Sequence, residues 1–264
     1  MTTDAPRPRT WSAVRCELAW RTEDIDRFIV HRAAPHFDGL RREGHLADWY
    51  FERTGTGLVF GLRGADWCTV KALRPDLARL VVQTRRTGAA ALADIGETGH
   101  TADPERFGPS EAAGDLFCRG TELAVSALTA PGARFTTATE LIMATAHALR
   151  LDRRATAAWL GGAPSAGAQP LDVRWTRLAR TRDHTLVRWT NAVRRARRAT
   201  EGQAETPPTA EQLSVWREHL HLLLNRLGLT PAETRALCAR TASSLSAADP
   251  FAADPAHITL ANTA

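Results

Sequence analysis

From Trp49 to Arg63 the chain reads WYFERTGTGLVFGLR, two runs rich in aromatic and branched residues around a glycine–threonine pair. This pattern predicts a β-hairpin, so the fold must contain an antiparallel sheet. The simplest loop is Gly55-Thr56, with glycine at the first central position as a type II′ turn requires. That register pairs Arg53 with Leu58, Phe51 with Phe60 and Trp49 with Leu62 on a mostly apolar face. The opposite face pairs Glu52 with Val59, Tyr50 with Gly61 and Asp48 with Arg63. It therefore carries the only tyrosine, two acids and an arginine, with a glycine facing the tyrosine. A strand glycine costs stability, and close approach of a ligand or another backbone is one reason to keep it. Two readings stand: a solvated polar face with a cross-strand ion pair, or one wall of an active site.

Around the hairpin the order is strand, helix, hairpin, then mostly helix, an α+β class in which an antiparallel sheet packs against a largely helical second half. Residues 11–19 suit a first strand. Residues 23–43 carry Ile25, Phe28, Ile29, Phe37 and Leu40 at helical spacing, with a break expected at Pro35. A helix is expected after Pro75, a short strand over 89–95, and another helix over 110–128. Thr137-x-x-Glu140, Thr209-x-x-Gln212 and Thr230-x-x-Glu233 have the form of capping boxes. Residues 161–170 and 199–208 read as loops within one domain spanning 1–248, and 249–264 as a loosely held tail.

At 264 residues the chain can bury a substantial core, and 44% hydrophobic with 24% charged residues is ordinary for a soluble protein. No apolar run approaches ~20 residues and the N-terminus lacks a signal-peptide core, so a cytoplasmic protein is expected. Cys16, Cys68, Cys118 and Cys238 are widely spaced and form no C-x-x-C pair, which argues for packed thiols rather than a zinc site or disulfides. The formal charge is +5, Lys71 is the only lysine, and nine arginines fall between Arg174 and Arg198. Such a cluster is either a solvated helix face or a surface for carboxylates or phosphates. No interleaved stacking aromatics accompany it, so an acidic peptide is a stronger reading than nucleic acid.

Residues 211–228, EQLSVWREHLHLLLNRLG, form the clearest helix, with an apolar stripe of Leu213, Trp216, Leu220, Leu223 and Leu227. Arg217, His221 and Asn225 stack at intervals of four along another side. Histidine exchanges protons near neutral pH, and asparagine or arginine can orient it or bind carbonyls. A histidine among leucines is more often structural. His219 reads as the surface residue of the pair, and the two rings diverge too far for a shared metal.

Three stretches taken in order resemble one family. The hairpin is similar to the aromatic strand, turn and R-L-R strand of lantibiotic dehydratases. Pro104-Glu105-Arg106-Phe107-Gly108-Pro109 resembles their P-E-x-x-RYGG segment. His221-x-x-x-Asn225-Arg226-Leu227-Gly228 resembles their H-M-x-x-NR-x-x-G helix. The resemblance covers nearly the whole chain, but only the family's C-terminal, glutamate-elimination domain. It implies an elimination-domain-like fold acting in antibiotic peptide biosynthesis, without metal or cofactor. Its partner would be a precursor peptide with an acidic leader and a core containing dehydroalanines and azoles, and a homodimer is left open.

Such domains serve as glutamate eliminases, which leave dehydroamino acids, or as pyridine synthases. The latter join two dehydroalanines in a formal aza-[4+2] cycloaddition and release water and leader peptide. Family eliminases carry two arginines in R-L-R, whereas this chain reads Gly61-Leu62-Arg63 and keeps only the second. The departure favours the pyridine synthase, with the eliminase or a noncatalytic leader-binding module as alternatives. The residues implied for catalysis are Tyr50, Arg63, Arg106 and His221. Those for substrate binding are Glu52, Gly61, Arg217 and Asn225, with Arg194, Arg195, Arg197 and Arg198 for leader docking.

Overall fold

The computed structural model describes residues 11–18, 21–55, 57–63, 67–84, 92–97, 110–130, 134–161, 184–201 and 206–247. Its sheet has four strands in the order β2-β3-β1-β4, all neighbours antiparallel: β1 (Trp11–Leu18), β2 (Asp48–Thr54), β3 (Gly57–Arg63) and β4 (Leu92–Glu97). The β2–β3 register is the one the hairpin pattern predicts, from Asp48↔Arg63 to Thr54↔Gly57. Gly55 does not take positive φ, so the turn is not of type II′. β1 continues the alternation, setting Trp11 beside Arg63 and Ala13 beside Gly61.

Between β1 and β2 run α1 (Thr22–Phe28), a π-helical segment (Ile29–Ala33) and α2 (Ala34–Arg42). The break expected at Pro35 is this π turn. Proline lacks the N–H that would close the preceding α turn, and the helix widens there instead of stopping. Phe37 of α2 covers the apolar sheet face, 5.0 Å from the Trp49 ring and 4.9 Å from Phe60. The next helix, α3 (Trp67–Thr84), starts earlier than expected and holds Pro75 in its interior.

The remaining helices are α4 (Ser110–Leu128), α5 (Arg134–Ala148), α6 (Arg153–Trp159), α7 (His184–Glu201), α8 (Ala210–Arg226) and α9 (Pro231–Ala247). Two of the three capping boxes form. Thr209 and Gln212 cap α8 reciprocally, and Thr230 and Glu233 do the same for α9. Thr137 instead lies within α5, which begins at Arg134. The bundle core includes Met143, Trp189, Leu220 and Leu223, and the Trp189 indole N–H donates to Thr145 Oγ1 at 3.0 Å. Cys16, Cys118 and Cys238 are buried and unbridged, and burial pushes the Cys16 and Cys118 thiols up to about 12. Among the described residues no helix is long and apolar enough to cross a membrane.

Candidate functional site

Strand β2 is an edge of the sheet, and its outward backbone groups need partners. Helix α8 supplies them with side chains. Asn225 Oδ1 accepts from the Arg53 N–H at 2.9 Å and its Nδ2 donates to the Arg53 carbonyl at 3.1 Å. Arg226 Nε donates to the Phe51 carbonyl at 2.8 Å, and the Cys118 thiol of α4 donates to that of Trp49 at 3.4 Å. Gly228 then ends the helix at φ +78, a left-handed residue whose Cβ would meet the Arg53 and Arg134 guanidiniums at 3.2 and 3.3 Å. Both arginines bind Asp26 of α1, tying sheet, bundle and α1 together. The N-R-x-G portion of the helix motif thus has a structural role, as the clamp on the sheet edge.

Arg226 has no exposed surface. Its guanidinium lies 4.6 Å from the Phe117 ring centroid and 5.4 Å from that of Tyr50. Gly120 of α4 makes the space, since a Cβ there would come within 2.8 Å of Arg226 Nη1. Burial lowers the pKa of this guanidinium, opposed by the Glu52 carboxylate 3.7 Å away. The pattern of the sequence left Arg226 without a role; the only cue was its place beside Asn225.

The clamp forms the back of an open groove of about 400 Å³. Glu52 and Arg53 line it from β2, Glu218, His221, Leu222 and Asn225 from α8, and Thr234 and Arg235 from α9. Three residues singled out from the sequence, Glu52, His221 and Asn225, therefore converge. His221 is exposed to the groove, and its pKa is lowered from 6.5 by desolvation and by Arg217, against Glu218. At neutral pH its imidazole is uncharged, able to take a proton at one nitrogen and donate from the other. Arg235 and Glu218 also line the groove, and no motif or spacing in the sequence singles them out.

Tyr50 is elsewhere. It is fully buried on the sheet face covered by α4, edge-on to Trp11 at 5.0 Å and to Phe117 at 4.8 Å. Its ring lies directly on Gly61, where any Cβ would overlap the tyrosine carbons. The glycine is thus explained by the neighbouring aromatic ring, and neither residue faces a groove. Arg63, at the far end of the same face, binds Asp48 and packs between Trp11 and Gly114. It opens on a second groove of about 580 Å³ shared with Glu111, Asp115 and Arg195. Arg63 and His221 consequently line different grooves, with Tyr50 buried on the face between them.

Other expected residues also divide. Arg106 lies outside the described residues, as do residues 174–183 of the arginine run and nearly all of the loop at 161–170. Arg217 points to the end of α6, donating to the Trp159 carbonyl. Arg197 is 1% exposed and donates to the Leu149 and Thr206 carbonyls and to Glu201. It holds the fold together, which corrects its placement on a docking surface. Arg195 binds Asp115, leaving Arg194 and Arg198 on the outer side of α7.

The two histidines are reversed relative to expectation. His219 is fully buried, stacked on Trp189 at 5.7 Å and near Phe117 and Trp216, and burial lowers its pKa to about 3. On a 3.6-residue helix it falls only about 60° from Trp216, inside a wider buried arc than the leucine stripe suggests.

The family profile described as lantibiotic biosynthesis dehydratase C-term matches residues 11–245. No curated protein matches the sequence. Among solved structures, the tRNA dependent lantibiotic dehydratase MibB from Microbispora sp. 107891 is similar with a TM-score of 0.65 and 19% identity over 93% of this chain. The chain spans 28% of the length of MibB. TbtD, the pyridine synthase from thiomuracin biosynthesis, is similar with a TM-score of 0.56 and 19% identity, over 90% of this chain and 98% of TbtD. For TsrL the TM-score is 0.59 and the identity 15%, over 90% of this chain and 95% of TsrL. At these identities the likeness is one of fold.

Proposed function

The chain belongs to the lantibiotic biosynthesis dehydratase C-terminal family, and from that premise we propose that it is a pyridine synthase acting on a modified precursor peptide. The observation that carries this choice over glutamate elimination is the Tyr50–Gly61 pair. Where the family's eliminases hold the first arginine of R-L-R, this strand has a glycine, and the Tyr50 ring fills the volume a side chain would need. With Tyr50 buried in that volume, the strand cannot offer a glutamyl carboxylate the cation that the family's eliminases hold there. The overlap in fold with TbtD, over 98% of that chain, supports the same reading.

In the reaction, one backbone amide shifts its proton from nitrogen to oxygen, giving an iminol and hence a 2-azadiene. The diene joins the second dehydroalanine through two new C–C bonds, one from the methylene carbon of the diene and one from the former amide carbon. The former amide oxygen leaves as water, the leader leaves as a carboxamide, and the ring becomes aromatic with no change in overall oxidation level. Much of the acceleration would come from holding both ends of one peptide in reactive geometry.

The groove at α8 offers the polar groups this needs. Neutral His221 accepts the amide proton and returns one to the departing oxygen, and Glu52 is the second proton carrier. Arg235 is placed at the groove to polarise a carbonyl. Asn225 and Arg226 act indirectly, by fixing the strand that carries Glu52. Tyr50 serves as a packing residue in this assignment and Arg63 as part of the neighbouring groove.

Mass spectrometry with two substrates tests the reading. A bis-dehydroalanine, azole-containing peptide should yield a pyridine and free leader amide, while a glutamylated peptide should be unchanged. Loss of glutamate without cyclisation would identify an eliminase, and binding without turnover a leader-binding module.

A further inference from the structure

Helix α5 ends in a way the other described helices do not. Leu151 N–H returns to the Ala146 carbonyl at 3.0 Å and Arg150 N–H to that of His147 at 3.1 Å, which makes Arg150 the left-handed residue closing the helix. Its φ is +60, and it is the only non-glycine with positive φ among the described residues. Helices α2, α6 and α8 are each followed at the equivalent place by a glycine, Gly44, Gly161 and Gly228. An L-residue is disfavoured there, so the arginine is retained against the local backbone preference.

Arg150 lines a pocket of about 240 Å³ between the end of α5 and helix α7, together with Ala148, Arg194, Arg197 and Arg198. The pocket has four guanidiniums and, among the described residues, no acidic side chain in its lining. Arg197 forms its floor, already matched to Glu201 and satisfying the Leu149 carbonyl. The other three arginines, Arg150, Arg194 and Arg198, are exposed. Their forked donors suit a carboxylate, and the volume suits one side chain rather than a polymer backbone. Among the described residues no aromatic is in the lining to stack a base, which favours a carboxylate over nucleic acid.

We propose that this pocket is a carboxylate-binding site that receives an Asp or Glu side chain of the peptide substrate, outside its reacting segment. The inference rests on the peptide-processing reading above and adds an anchoring point to it. The anchor consists of Arg150, Arg194 and Arg198.

The test uses the full chain and a fluorescein-labelled Gly/Ser-rich peptide carrying two Glu residues, a Gln counterpart, and an oligothymidine of similar length. The Glu peptide should bind, the Gln peptide at least tenfold more weakly, and an R150G/R194A/R198A variant should lose at least tenfold for the Glu peptide. Arg150→Gly relieves the left-handed strain, so the variant's melting temperature serves as the check that it folds. An R27A/R79A/R240A control removes the same charge elsewhere. Equal loss in the control, or binding of oligothymidine that the pocket variant abolishes equally, would overturn the proposal. With the bis-dehydroalanine peptide, the pocket variant should raise KM and leave kcat near wild type. An unchanged KM defeats the pocket even if cyclisation proceeds. Pocket-dependent binding without any cyclisation defeats the pyridine synthase reading and leaves the pocket standing.

Discussion

The carboxamide of Asn225 pairs with both backbone groups of Arg53, accepting from the N–H at 2.9 Å and donating to the carbonyl at 3.1 Å. A helix side chain thereby completes the ladder that an edge strand lacks, and the strand is held where it presents Glu52 to the groove. Replacing Asn225 with alanine removes both bonds. The expected loss is about 1–3 kcal/mol, read as a lower urea midpoint at unchanged m-value. A change below about 0.5 kcal/mol would mean that the clamp is incidental.

Gly61 and Tyr50 are coupled by contact. Gly61→Ala drives a methyl group into the tyrosine ring, and overpacking of this kind costs about 1–3 kcal/mol. Shortening the aromatic partner with Tyr50→Leu should relieve most of that cost. A double-mutant cycle in chemical denaturation should therefore show a favourable coupling of roughly 0.5–3 kcal/mol. Simple additivity would contradict the packing explanation for the glycine.

His219 makes stability depend on pH in a defined direction. Its folded pKa is about 3 and its ordinary value 6.5, so between these limits the unfolded chain binds a proton that the folded chain does not. The contribution is complete above pH 6.5 and declines as pH falls, by about 1.4 kcal/mol per pH unit toward pH 3. Arg226 on the same helix adds to the depression. His219→Phe keeps an aromatic ring in the stack and removes the proton. Between pH 7 and pH 5 wild type should lose roughly 2 kcal/mol more than the variant; parallel curves would show that His219 is not buried neutral.

His221 should separate catalysis from folding. It faces the groove, so His221→Ala should leave the melting temperature within a degree or two of wild type while lowering kcat by roughly 10²- to 10⁴-fold. With its pKa below 6.5, the rate should be flat above about pH 7 and fall only on the acid side of pH 6.5, as the base becomes protonated. A variant that cyclises at the wild-type rate would remove His221 from the chemistry.

Much of this protein is readable from local pattern. Alternation with period 2 around Gly55-Thr56 determines the register and which residues of the hairpin share a face. The α8 stripe and its Thr209–Gln212 box define that helix, and three of the residues chosen from sequence, Glu52, His221 and Asn225, do line one groove. These features depend on neighbours a few residues away, so sequence spacing alone can encode them.

Only the tertiary structure decided which of those faces meets solvent. Tyr50 and Glu52 share a face, yet α4 covers the first with Phe117 while the second reaches a groove. His219 and His221 are two residues apart, but Trp189 and Phe117, packed against α8, bury the first beside Trp216 of the same helix and leave the other exposed. Arg194 and Arg197 look alike in a basic run until Leu149, Thr206 and Glu201 claim the second. Periodicity says which side chains point the same way. What they point at is set by contacts between residues distant in the chain, and that decides whether a polar group becomes a tool of chemistry or a part of the core.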